Sequence, residues 1–80
     1  MIDMEAEWFL RMKRLIDSGK VYRFEWCGDG DYEPFEGKPT KITNELCVKV
    51  TKGNSTEKEG KEIFLDGDEL NMMKITEVKG

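Results

Sequence analysis

The stretch Val21–Trp26, V-Y-R-F-E-W, decides the fold. Tyr22, Phe24 and Trp26 alternate with Val21, Arg23 and Glu25, and successive side chains of an extended chain point to opposite faces. These residues are mostly of the β-branched and aromatic kinds that suit a pleated, half-buried surface. The stretch predicts a strand over about 20–27 with one aromatic face, and such a face needs a covering layer.

The segment before it supplies that layer. Met4, Trp8, Met12, Leu15 and Ile16 recur at helical spacing, and Phe9 widens the stripe. Asp3 is a good N-cap and Gly19 a good C-cap, which predicts a helix over about 4–18. Leu10 falls outside the stripe and is expected at the surface. So short a link to the strand lays the helix over one sheet face or plugs one end of a barrel, with Trp8 and Met12 toward the aromatic side. Trp26 is expected to bury there, provided its indole N–H finds an acceptor.

Downstream, residues 28–39 contain Gly28, Gly30, Gly37, Pro34 and Pro39 and read as a loop. Residues 41–51 read as a strand in which Leu46, Val48 and Val50 alternate with Cys47, Lys49 and Thr51. Asn44-Glu45 marks a bend that sets Ile42 either in this strand or in a short one before it. Residues 52–60 lack apolar side chains and read as an exposed hairpin loop, with Asn54-Ser55-Thr56 as loop composition and not a glycosylation site. A strand over 61–65 leads to Asp66-Gly67, a turn signal. Leu70–Met73 is an irregular crossing or a brief helical turn, and a last strand covers 73–78.

These elements predict one small α+β domain over 1–80. The N-terminal helix packs on a strongly bent antiparallel sheet of four to five strands, or on an SH3-like or Sm-like barrel; an open α+β sheet is the alternative. The segment Ile63-Phe64-Leu65-Asp66-Gly67-Asp68-Glu69-Leu70 resembles the end of an Sm-like barrel, where an apolar strand leads into Arg-Gly-Asp and a final strand. The resemblance implies a closed barrel. It implies no RNA site, since Asp66 stands where that family has arginine and repels phosphate.

Composition narrows function. The 80 residues carry a formal net charge of −4, which disfavours non-specific attraction to nucleic acid or anionic membrane. No apolar run reaches membrane-spanning length, and the N-terminus is acidic where a secretion signal is basic, so a cytoplasmic location is expected. Cys27 and Cys47 are expected to be separate thiols in a reducing compartment. The chain has no histidine, which removes histidine-based triads, proton shuttles and metal centres. Asp29, Asp31 and Glu33 alternate like the start of a calcium loop, but Pro34 occupies the glycine position and Thr40 the position of the bidentate glutamate. No cofactor, metal site or enzymatic activity is expected.

The expectation that remains is a non-catalytic protein-binding module presenting an acidic surface to a basic partner. Asp29, Asp31, Glu33 and Glu36 supply the charge, and Tyr32 and Phe35 the apolar anchors. A nucleic-acid mimic or inhibitor is one form of this. Two alternatives stand beside it. One is a small-barrel nucleic-acid-binding module using a strip of Lys38, Lys41, Lys49 and Lys52, although the aromatic residues do not interleave with that strip in sequence. The other is a homo-oligomer built by pairing of exposed sheet edges.

Overall fold

The computed structural model describes the backbone of residues 4–30 and 32–79, and side chains over those stretches from Phe9 onward. In chain order the elements are α1 (Met4–Ser18), β1 (Tyr22–Trp26), β2 (Phe35–Ile42), β3 (Leu46–Lys52), β4 (Glu62–Leu65), α2 (Gly67–Asn71) and β5 (Met73–Glu77). All neighbouring strands are antiparallel, in the spatial order β4-β3-β2-β1-β5.

The helix runs over the residues its spacing predicts. Met12 is fully buried against the sheet, and Leu15 and Ile16 pack beside it. Leu10 is exposed as expected, but Phe9 also reaches solvent and does not widen the buried stripe. The Asp3 cap and the contacts of Met4 and Trp8 lie outside the described side chains. Gly19 ends the helix at φ +67°, a left-handed conformation that suits glycine, and its N–H bonds to the Ile16 carbonyl at 3.1 Å.

The expected strand at Val21–Trp26 forms, and its aromatic residues point inward. Tyr22 and Phe24 are buried and Trp26 is half-buried. Register carries this inner face across the sheet. Phe24 pairs with Phe35 and Ile75, Val48 with Pro39 and Ile63, and Leu46 with Ile42 and Leu65. The Phe24 and Phe35 rings stack at 5.1 Å.

Three expectations are corrected. First, the sheet is open, neither strongly bent nor closed as an SH3-like or Sm-like barrel. β4 and β5 lie at opposite ends of the strand order and do not pair with each other. Closure is unnecessary because α1 covers part of the inner face and α2 inserts Leu70 beside it. Second, Asp66-Gly67 is a helix start and not a tight turn. The Asp66 carboxylate accepts from Glu69 N at 2.8 Å, and the Glu69 carboxylate accepts from Asp66 N at 3.5 Å, a capping box. The resemblance to the end of an Sm-like barrel therefore does not extend to the fold.

Third, residues 35–39 are strand and not loop, while the bend at Asn44-Glu45 forms as a hairpin with Ile42 in the strand before it, one of the two places expected for it. The glycine and proline that signal a loop have specific places in β2. Gly37 approaches β3 so closely that a Cβ there meets Val48 Cγ1 at 2.5 Å and the Lys49 carbonyl at 2.9 Å. Pro39 lies past the end of the β1 pairing, where no N–H is needed on that side, and a register shift follows it.

Candidate functional site

The two sheet faces differ in chemistry. Among the described residues, α1 and α2 leave part of the inner face uncovered, and there a groove of about 270 Å³ opens. Its floor is Phe24, Phe35, Ile63, Leu65 and Met73; the loop after β1 and the loop after β3 rise on its sides. Among the described residues, none from α1 lines it.

Local chemistry builds the groove's aromatic wall. Trp26 ends β1 half-buried, and its indole N–H donates to the Asp29 carbonyl at 2.9 Å, the acceptor that burial requires. That bond folds the following loop back over the strand end. Tyr32 then meets Trp26 edge to face at 5.4 Å, while 65% of it remains exposed. On the far side Cys27 N–H bonds to the Met72 carbonyl at 2.7 Å and ties α2 to the end of β1.

Glu33 joins the two loops. Its carbonyl accepts from Asn54 Nδ2 at 2.6 Å and its carboxylate from Ser55 N at 3.1 Å. Asn54 Oδ1 in turn accepts from Thr56 N and Glu57 N at 2.9 and 2.6 Å, so Asn54 organises its own turn. Glu33, Glu57 and Glu69 all line the groove, making an apolar floor with a carboxylate rim. Lys61 pairs with Glu57 at 3.2 Å.

The residues expected to form an acidic contact surface are divided by the fold. Tyr32 and Glu33 stand exposed in the groove wall, Asp29 is exposed but is not among the lining residues, and Asp31 lies outside the described residues. Phe35 is a buried floor residue and not a surface anchor. Glu36 points to the opposite face, paired with Arg23 and Lys52. Trp26, Glu57, Glu69 and Met73 belong to the site and were not expected there. Trp26 reads as core because its alternation puts it on the buried face; its place at the strand's end is what brings it to the rim.

The outer face is solvent-facing and rich in lysine. Register places Lys38 opposite Lys49, Lys41 opposite Cys47, and Lys52 opposite Glu36, so the residues of the basic strip share one face. Arg23 and Lys74 join them from β1 and β5. Phe64, 53% exposed, lies opposite Cys47 on the same face and, on the edge strand, also borders the groove.

Among the described residues, no group of three or more Asp, Glu or Cys side chains comes together as metal ligands do. Cys27 is an exposed free thiol and Cys47 a buried one. No helix among the described residues is long and apolar enough to cross a membrane. Comparisons with protein-family models, curated protein sequences and solved structures gave no match for this chain.

Proposed function

We propose that the protein is a non-catalytic protein-binding module that receives a basic, partly apolar segment of a partner in the inner-face groove. The observation that carries this reading is the joining of an apolar floor to a rim of Glu33, Glu57 and Glu69 in one concavity. An apolar side chain gains by leaving water on that floor, and a neighbouring arginine or lysine finds carboxylates at the edge. The exposed Tyr32, propped on Trp26, has the rigid, amphipathic character of an interface anchor. Two free thiols, one of them exposed, suit a reducing compartment, and we take the cytoplasm as the setting.

Calorimetric titration with a synthetic peptide of alternating arginine and leucine tests this. Binding is expected to weaken with salt and to fall about tenfold in Tyr32→Ala, the effect of losing one interface anchor. A peptide with glutamate in place of arginine is expected not to bind. Equal binding of the two peptides overturns the assignment.

A further inference from the structure

We infer that the outer face of the sheet is a platform for single-stranded nucleic acid, meeting the inner-face groove at Phe64 on the edge strand β4. The chain's net charge is −4, yet this face gathers Arg23, Lys38, Lys41, Lys49, Lys52 and Lys74 against Glu25, Glu36 and Glu62. Folding thus segregates a local positive excess from an acidic whole.

Three features give that excess the form of a site. Lys38 and Lys49 face each other across the adjacent interior strands β2 and β3, although like charges directly opposite are unfavourable. A polyanion laid across them removes that repulsion. Arg23 and Lys52 both line a hollow of about 210 Å³ at the ends of β1, β2 and β3, shared with Glu36 and Phe35, and a phosphate entering it competes with Glu25, which pairs with Arg23 at 2.7 Å. Lys41, Cys47 and Phe64 form one cross-strand row, which places an exposed aromatic ring two strand spacings, about 10 Å, from a lysine.

In the linear sequence no aromatic residue falls between Lys38 and Lys52; the pairing of β4 with β3 brings Phe64 to that strip. Cations tracking a phosphate backbone with an aromatic face for a base are the two components of sequence-tolerant single-strand binding. An acidic protein segment matches the charge but makes no use of Phe64 as a stacking surface, and nucleic acid is therefore the occupant the face fits better.

Fluorescence anisotropy with a labelled oligothymidylate of about twenty nucleotides tests the proposal, long enough to cross the face. The wild-type chain is expected to bind at low ionic strength. The slope of log affinity against log salt should be about −3, as for four phosphate contacts on a single strand. Lys38→Glu should lower affinity about tenfold, and Phe64→Ala by about fivefold or more, the loss of one stacked base. Lys58→Glu makes the same change in net charge within the loop after β3 and is expected to bind as the wild type does. Thermal melting verifies that each variant is folded. Absence of wild-type binding at low salt, or equal losses in Lys58→Glu and Lys38→Glu, overturns the proposal. Tighter binding of a polyglutamate chain, unaffected by Phe64→Ala, overturns it in favour of an acidic protein partner.

Discussion

Lys38 and Lys49 stand directly opposite one another on the adjacent interior strands β2 and β3, both exposed, and neither makes an ion pair among the described residues. Like charges in that relationship destabilise a sheet, and opposite charges stabilise it by roughly 0.2–1 kcal/mol. Lys38→Glu is therefore expected to raise stability by about that amount in urea denaturation. The same change is expected to weaken nucleic-acid binding. A variant that is both less stable and no weaker in binding contradicts the role given to this pair.

Gly37 tests the account of β2. A methyl group there meets Val48 Cγ1 at 2.5 Å and the Lys49 carbonyl at 2.9 Å, so β2 and β3 must separate to admit it. Gly37→Ala is expected to cost about 1–3 kcal/mol, the range for overpacking a close-fitted interior. Unchanged stability would show that the strands are not held this closely.

The capping box makes a third prediction. Asp66→Ala removes the acceptor for Glu69 N and should cost about 1 kcal/mol. Because Glu69 lines the groove, the loss should also weaken binding of the arginine–leucine peptide. Asp66→Asn keeps an N-cap acceptor and is expected to recover most of the stability. Equal losses in both variants would mean that the carboxylate acts by its charge and not as a cap.

The pair Lys20–Glu77, at 2.7 Å, closes the start of β1 against β5. Its hydrogen bond and charge hold the Glu77 carboxyl below its ordinary pKa and the Lys20 ammonium above its own. The carboxylate's contribution is thus present above the unfolded-state pKa and fades as pH falls through the lowered folded value. The ammonium's contribution is present below its unfolded-state pKa and fades as pH rises through the raised one. NMR titration of the Glu77 carboxyl should show its midpoint rise in Lys20→Met. An unmoved midpoint means that the pair does not persist in solution.

Much of the fold is legible where one period dominates the sequence. The helix at Met4–Ser18 follows from its stripe, and β1 and β5 from their alternation. β2 is obscured because its inward positions after Phe35 are Gly37 and Pro39, residues that ordinarily end a strand. They are tolerated through a close approach and a missing neighbour, both of which exist only once β1 and β3 are in place. The open sheet, the alternative to a barrel, follows from α2, whose capping residues Asp66 and Glu69 also spell a turn. The groove was partly legible. Asp29, Tyr32 and Glu33 share an acidic loop, but Trp26, Glu57, Glu69 and Met73 reach it from separate elements. Only the cross-strand register puts Phe64 among the lysines.

A display selection of random peptides against the folded protein tests the groove most directly, because it assumes nothing about the partner. The enriched peptides are expected to combine arginine or lysine with a neighbouring apolar residue, and to lose binding to both Tyr32→Ala and Glu33→Lys. Enrichment of peptides without basic residues, or undiminished binding to both variants, would contradict the claim that this groove receives a basic partner.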